Sequence, residues 1–401
     1  MNVLALRPLA AGRPLPAGDR RIARVEIVED MAQAEPYWRA LEQADSLRTP
    51  YQRYELLKLW QRHAGTAAGV TPFIVVGFNT QDAPLFLWPL GRRRFGGLQV
   101  AEFLGGSHAN FNMAVWRRDV AESIGAADLR AVLSRLAGQA DILRLGNQPL
   151  TWGGTTNPFA LLPHLRAANY GFSGALIPDY DALLRARTNS ATRKKMRKKE
   201  RALADFGAVR FEQARGDQDV RRVLDAFFKQ KSARMRHLGI ADAFAAAGVR
   251  RFIEAAAGER LAGGEPLIEL YSLSVGDMIV ATFGGIGGGG RFCGMFNSII
   301  KDRYAAESPG EQLLAHVVRR CCERGLDTFD LGIGQANYKT LFCNDAEPLF
   351  DSHLPLSAAG RLLGLGFGIA ARCKRMVKTN AVLWSLVQRL RRLRARLSPS
   401  I

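Results

Sequence analysis

Arg291-Phe-Cys-Gly-Met-Phe-Asn-Ser-Ile-Ile300, Lys301-Asp-Arg-Tyr-Ala-Ala-Glu-Ser-Pro-Gly310 and Glu311-Gln-Leu-Leu-Ala-His-Val-Val-Arg-Arg320 follow one another without a break. The order is strand, loop, helix. Ser308 can cap the helix, and Pro309 fits its first turn, where a missing N–H is no loss. Exposed backbone amides follow, and a helix start of this kind attracts phosphate.

The next stretch, Gly325-Leu-Asp-Thr-Phe-Asp-Leu-Gly-Ile-Gly-Gln-Ala-Asn-Tyr-Lys-Thr-Leu-Phe342, adds a second strand. It ends at Asp330 and Gly332, and Tyr338-Lys339 opens a short helix over 337–343. Strands that end in glycine-rich loops bearing a carboxylate, a phenol and an amine make a candidate site. The plainer reading has Asp330 capping a turn and Tyr338 packing.

Upstream lies a meander. Leu267–Val275 and Met278–Ile286 flank Gly276-Asp277, which is hairpin chemistry. Gly285-Ile-Gly287-Gly-Gly-Gly290 matches the dinucleotide fingerprint in letters only. That motif must open a helix, so that helix-start amides meet a pyrophosphate. Here it opens another strand, and a hairpin turn is its role. Before the meander come three helices over 190–206, 219–238 and 243–258. The first contains Arg193-Lys-Lys-Met-Arg-Lys-Lys-Glu-Arg201, seven basic side chains and one acid. Phosphate contacts dominate nucleic-acid affinity, but base recognition wants stacking aromatics, and this helix has none. A solvated basic face is the simpler explanation.

The N-terminal half has a related order. Strands fall at 23–29, 72–78, 85–90, 99–104 and 141–145, with helices at 31–45, 51–63 and 126–137. The stretch Gly91–Gly97, with its three arginines, reads as a loop. Both halves thus run from helices into strands, then strand, helix, strand. An α/β chain (α+β mixed sheets) follows, a mixed, mostly antiparallel sheet flanked by helices in each half. The boundaries read as a flexible arm over 1–24, an N-terminal domain over 25–175, a C-terminal domain over 176–355 and a basic amphipathic helical tail over 356–401.

The 401 residues, 47% hydrophobic and 23% charged, suit two globular domains and exclude a fibrous or disordered chain. The formal net charge of +19 favours an acidic partner. More than half of the excess sits in the tail, which from Ser352 to Ile401 holds ten Arg or Lys and no acid. Met376, Leu383, Leu390 and Leu397 recur there every seven residues, widened by Trp384, Leu386 and Val387 and ringed by arginines from Arg389 to Arg396. Such a helix suits an anionic membrane surface; docking on the protein itself or a dimer seam suits it equally. The five cysteines form no CxxC pair, so neither a zinc ribbon nor a disulfide framework is expected. The six histidines are scattered, and no GxSxG elbow is present, so no metal and no serine hydrolase are expected. The N-terminal stretch is broken by Pro8, Pro14 and Pro16, and no apolar run reaches about 18 residues. A cytoplasmic protein that touches the inner membrane face is the expectation.

Residues 185–345 carry a resemblance. The basic helix of Arg193–Arg201, Phe227-Phe-Lys-Gln-Lys-Ser-Ala-Arg234 followed by Gly239, the meander, Ser308-Pro-Gly310, and Phe329-Asp-Leu-Gly-Ile-Gly334 with Tyr338-Lys339 together resemble the CelD-like (cellulose biosynthesis) acetyltransferases of the GNAT superfamily. The N-terminal half is similar to that family's first GNAT-like domain through Phe103-Leu-Gly-Gly106 and the loop to Asn112. Fem-like aminoacyltransferases look similar in having two GNAT-type domains.

The resemblance implies two tandem GNAT-like domains and acyl transfer from acetyl-CoA or another acyl-CoA to an amine or hydroxyl. Direct attack needs no cysteine, but it needs a base and an oxyanion site. Asp330 and Tyr338 are the candidates for proton handling and Lys339 for charge stabilisation. Phe296, Asn297, Ser298, Arg303, Ser308, Gly310, Glu311 and Gln312 are the candidates for holding the donor. His108, Asn110, Lys231 and Arg234 are the candidates for substrate contacts. The implied acceptor is a saccharide or related envelope or exopolysaccharide precursor. One departure stands out: the family's pyrophosphate loop reads Q/R-x-x-G-x-G/A, whereas here Arg303-Tyr-Ala-Ala-Glu-Ser308 replaces both glycines. Backbone approach to a diphosphate is harder without them. An aminoacyl-tRNA donor and a non-catalytic scaffold of a polysaccharide synthase are therefore carried as alternatives.

Overall fold

A computed structural model describes residues 21–43, 45–334 and 341–380, together with 382, 383, 385 and 387. In chain order its elements begin β1 (Arg24–Val28), α1 (Met31–Gln43), β2 (Ser46–Leu47), α2 (Tyr54–Trp60), β3 (Thr71–Phe78), β4 (Pro84–Phe95) and β5 (Leu98–Phe103). They continue with β6 (Val115–Arg117), α3 (Arg118–Ser123), α4 (Ala126–Arg135), β7 (Ile142–Pro149), β8 (Thr151–Trp152), β9 (Thr155–Thr156), β10 (Leu165–Ala175), α5 (Tyr180–Arg187) and α6 (Ser190–Ala204). The remainder are β11 (Val209–Gln213), α7 (Asp217–Leu238), α8 (Ala247–Gly258), β12 (Glu269–Val275), β13 (Met278–Gly288), β14 (Arg291–Ile299), α9 (Pro309–Glu323), β15 (Thr328–Ile333), β16 (Asp345–Pro355) and α10 (Ala358–Thr379).

Two compact units result, residues 1–167 with 348–371 and residues 168–347 with 372–401. In the first, β1, β3, β4 and β5 pair antiparallel in that order, β5 pairs β7 parallel, and β7 pairs β16 antiparallel. Its core is an aromatic cluster in which Phe86 stacks on Trp88 at 5.4 Å and Phe159 meets Trp88 edge-on at 4.9 Å. The stretch 91–97 is not a loop, because β4 continues through Arg92–Arg94 to Phe95 and pairs with β5. Only Gly96 and Gly97 turn, with φ of 56° and 84°, and these two left-handed residues suffice to close the hairpin.

In the second unit β10 pairs β15 antiparallel, β15 pairs β14 parallel, and β14, β13, β12 and β11 form an antiparallel meander. Gly276 closes one hairpin with φ of 57° and Gly289-Gly290 the next with 58° and 74°, so the glycine run is a turn, as its sequence context implied. Parallel strands need a crossover, and α9 supplies it between β14 and β15. One face of this sheet is covered by α9 with α5 and α6, through Leu313, Leu314, Val317, Val318, Tyr180 and Leu203. The other is covered by α7, whose Phe227 lies 4.5 Å from Phe296 of β14. Both units therefore repeat one frame, an antiparallel meander, a crossover helix, a parallel strand and a last antiparallel strand.

Candidate functional site

The second unit's site is built where β14 and β15 part. Among the described residues their register runs over Arg291 with Thr328, Phe292 with Phe329 and Cys293 with Asp330. Beyond that point β14 runs on to Ile299, while β15 ends at Ile333 and keeps its other edge on β10. Past that point the two parallel strands diverge and open a gap between them.

A bulge decides which way the side chains of β14 point. Gly285 of β13 faces Gly294, but the next residue back, Gly284, faces Phe296, so Met295 is the extra residue. An extra residue inverts the strand's alternation. Phe292 joins Phe283 and Phe329 on the α9 face. Phe296, an even number of residues away, instead packs on Phe227 and Phe244. Ser298 likewise turns toward α7, where its hydroxyl donates to Gln230 Oε1 at 2.7 Å and shares a hydrogen bond with Thr282 at 2.7 Å.

The same register orients Asn297. The Ile300 N–H bonds the Val280 carbonyl at 2.9 Å, so residue 298 is the next hydrogen-bonded position opposite Thr282. Asn297, one residue further along and out of that alternation, turns its N–H and C=O away from β13, toward the gap left by β15. Lys231 Nζ donates to that carbonyl at 3.2 Å and lies 5.5 Å from the Phe244 ring centre. Burial, and then the positive charge of Arg234, lower the Lys231 pKa, while Asp242 opposes them. Arg234 itself is half-buried on α7.

At the far end of β14 the chain enters α9. Gly310 lies against Ile299, and a Cβ there would sit 2.7 Å from Ile299 Cγ2, so glycine permits the close approach of strand end and helix start. Ser308 precedes Pro309 with φ of 49°, a left-handed residue. Its hydroxyl does not cap the helix, contrary to the sequence expectation; in that backbone conformation it accepts instead from Lys199 Nζ. Lys199 also approaches Glu311 at 3.8 Å. Gln312 donates to the Glu307 carbonyl at 2.9 Å, while its Oε1 is buried with no hydrogen-bond partner among the described residues. Arg303 donates to the Tyr304 hydroxyl at 2.8 Å. The predicted donor residues Phe296, Asn297, Ser298, Ser308, Gly310, Glu311 and Gln312 thus line one continuous run from strand to helix.

Asp330 sits elsewhere in character. It has no exposed surface. Its Oδ2 accepts from Arg291 Nε at 3.0 Å and from the same guanidinium's Nη2, and its Oδ1 accepts from the Gly332 N–H. Arg291 reaches on to Glu347, with Nη1 at 2.9 Å and Nη2 at 2.8 Å, and Ser173 donates to Glu347 at 2.6 Å. Burial pushes the Asp330 carboxyl up to about 6, against the pull of Arg291. Burial works to lower the Arg291 pKa, yet the charge of Asp330 and the bond to Glu347 raise it overall. Cys293 lies on the same face, and burial pushes its thiol well above the usual range, so it offers no thiolate nucleophile. Tyr338 and Lys339 lie outside the described residues.

His108 and Asn110 belong to the first unit. There His108 Nδ1 accepts from Trp60 Nε1 at 3.2 Å, and Asn110 Nδ2 donates to the Tyr51 hydroxyl at 3.0 Å. Sequence reasoning missed Lys199 as a site residue. The signal was present: Met196, Lys199 and Leu203 fall on one face of α6, and Leu203 is buried, so the lysine between them must turn inward. Among the described residues no group of three His, Cys, Asp or Glu side chains is placed to hold a metal, and no helix is long and apolar enough to cross a membrane.

Residues 190–340 match the family model described as an acetyltransferase (GNAT) domain. The chain thus carries a GNAT-superfamily acetyltransferase domain over the unit that holds the parted strands, and it is an acyltransferase. No curated protein matches its sequence. Among solved structures it is similar to a conserved protein of unknown function from Bacteroides thetaiotaomicron VPI-5482, at 11% identity and a TM-score of 0.51, over 82% of this chain and 100% of that one. It is also similar to FemX, at 9% identity and a TM-score of 0.51, over 80% of this chain and 99% of the other. These likenesses extend the shared fold to most of the chain's length.

Proposed function

We propose that the protein moves an acyl group from an acyl-CoA to an amine or hydroxyl of a saccharide or related envelope or exopolysaccharide precursor, as its resemblance to the CelD-like acetyltransferases implies. The observation that carries this reading is the parting of β14 and β15, with Asn297 turned into the gap and the start of α9 at its end. The donor's pantetheine lies along β14, its thioester near the bulge at Met295, and its phosphates at the start of α9 beside Lys199 and Ser308. The buried Gln312 Oε1 suits an amide N–H of the arm.

In the transfer, the acceptor's lone pair adds to the thioester carbonyl carbon and the C–S bond breaks. The proton lost by the nucleophile ends on the released thiol. Backbone N–H groups at the bulge hold the oxyanion. Tyr338 and Lys339 handle the proton and the developing charge. Asp330, with no exposed surface, acts as a positioning residue through Arg291 and the Gly332 N–H. The basic tail holds the enzyme at an anionic membrane face, where lipid-linked acceptors are found.

Calorimetric titration with acetyl-CoA and longer acyl-CoAs tests the donor, with uncharged tRNA as the control for a Fem-like reading. The expected result is saturable binding of an acyl-CoA, weakened about tenfold by Lys199→Met through loss of a charged hydrogen-bond donor. Binding of tRNA alone favours the aminoacyl-tRNA alternative, and binding of neither by folded protein favours the scaffold. Tyr338→Phe, Lys339→Ala and Asp330→Asn should each lower turnover; full activity in all three overturns the proposed site.

A further inference from the structure

The basic helix α6 has two faces that do different things. Met196, Lys199 and Leu203 turn inward, and Lys199 reaches the start of α9. Lys194, Lys195, Arg197, Lys198 and Arg201 are all exposed. Among the described residues no carboxylate pairs with any of these five, whereas Lys199 has Glu311 at 3.8 Å. Five like charges within about two helical turns repel one another in the free protein, so the face is matched only by an acidic surface brought from outside. It lies beside the phosphate end of the donor site.

The helix start itself is poorly made for the several phosphates of free CoA. Its cations, Lys199 and Arg303, are balanced by Glu307 and Glu311. Glu311 already occupies the first turn, where a helix favours negative charge. Ser308 places a side chain where the backbone would have to approach a diphosphate. A single phosphodiester, singly charged, makes smaller demands on such a site. The charge is thus displaced from the phosphate pocket to the outer face of α6.

We infer that the acyl donor is presented by an acidic carrier protein bearing a phosphopantetheinyl thioester, with the arm's phosphodiester at Lys199 and Ser308 and the carrier's acidic surface on the outer face of α6. This rests on the acyl-thioester reading above and changes only what the pantetheine arm is attached to. The transfer step is unaltered: the acyl carbon leaves the arm's sulfur for the acceptor's oxygen or nitrogen, and the sulfur takes up the proton that the acceptor loses. An acidic protein fits better than the other polyanions. An RNA would want aromatic side chains on which to stack bases, and α6 offers none. A membrane would want apolar side chains to insert, and those of α6, Met196 and Leu203, face inward.

The test compares binding of an acetyl-loaded bacterial acyl carrier protein, the same carrier without its arm, acetyl-CoA, uncharged tRNA and anionic phospholipid vesicles. Each is titrated at low and at physiological salt. The variant is Lys194→Glu with Lys195→Glu and Lys198→Glu. A control of Arg221→Glu with Arg236→Glu and Arg251→Glu makes the same change in net charge at exposed positions of other helices, and circular dichroism checks that both remain folded. The loaded carrier is expected to bind tightest, with affinity falling steeply with salt, as rim charges dictate. The α6 variant should lose about tenfold or more for the carrier and under about threefold for acetyl-CoA, since its cations act at the carrier's surface. Removal of the arm should weaken the carrier independently of that face. If acetyl-CoA binds and depends on the same lysines while the carrier does not bind, the inference is overturned and the acyltransferase reading stands. Preference for tRNA or for vesicles at α6 overturns it in favour of that partner. If neither acetyl-CoA nor the loaded carrier binds folded protein, the donor reading itself fails.

Discussion

Arg291 shows how one side chain sets the chemistry of its neighbours. It stands between Asp330, wholly buried, and Glu347, partly exposed. A buried ion pair contributes little net stability when whole, but removal of one partner leaves an uncompensated charge. Arg291→Met should therefore cost about 3–5 kcal/mol at pH 7.5, measured by urea unfolding. The pH dependence has a definite sign. With Asp330 held up to about 6, above an unfolded aspartate near about 3.9, the stability linked to this group is complete below the unfolded value. It is lost as the pH rises through the folded one. Without Arg291 the folded pKa rises further, so the deficit of the variant should shrink as the pH is lowered toward 5. A deficit that does not change with pH would mean that Arg291 acts through packing rather than charge.

At the scale of elements, the bulge in β14 is the feature on which the site depends. Gly294 lies beside it, where a Cβ would stand 2.7 Å from Phe283 Cζ and 3.1 Å from the Asp330 carbonyl oxygen. Phe283 is itself stacked on Phe292 and Phe329, so it has little room to move. Gly294→Ala should cost about 1–3 kcal/mol through overpacking, read as a lower urea midpoint. It should also weaken donor binding, because the strand would move where it parts from β15. The contrasting element is α6, whose inner face buries Leu203 and brings Lys199 to the Ser308 hydroxyl. Its amphipathic division lets one helix pack on α9 and still present cations outward.

Across the whole molecule, one frame occurs twice, yet neither unit is a contiguous stretch of chain. The strand antiparallel to β7 is β16, from late in the sequence, and the strand antiparallel to β15 is β10, from the middle. A last antiparallel strand can come from either chain direction because the sheet asks only for an edge and a matching apolar face. Charge is distributed at this scale too. Ten of the basic residues behind the net charge of +19 follow Ser352 without an acid among them. Deleting residues 381–401 should leave acyl-donor binding unchanged and lower affinity for anionic vesicles about tenfold or more, at about 1 kcal/mol for each of several basic residues near the surface. Vesicle co-sedimentation at two salt concentrations would measure it, and an unaffected truncated chain would remove the tail from the membrane proposal. Beyond Val387 the tail lies outside the described residues, and only Met376, Leu383 and Val387 of its apolar stripe lie within them.

What the sequence determined was local. Gly276, Gly289 and Gly290 marked the hairpins, because positive φ is open to glycine without strain. Pro309 marked the start of α9 because its ring fixes a helical φ and needs no N–H partner. The order strand, helix, strand around the site followed from these stops and from apolar patterning, and with it the class of fold. Local rules failed at 91–97, where the arginines suggested a loop and cross-strand pairing with β5 kept the chain extended. Tertiary structure decided what depends on residues far apart. The bulge at Met295 exists only against β13, and it inverted the side-chain directions that alternation alone would assign to Phe296 and Ser298. The Ser308 hydroxyl looked like a cap, yet its partner is Lys199, more than a hundred residues earlier. Asp330 was a candidate for proton handling, but strands on both sides bury it and Arg291 closes over it. Burial, register and the meeting of distant charges are properties of packed chains, and no stretch of sequence contains them alone.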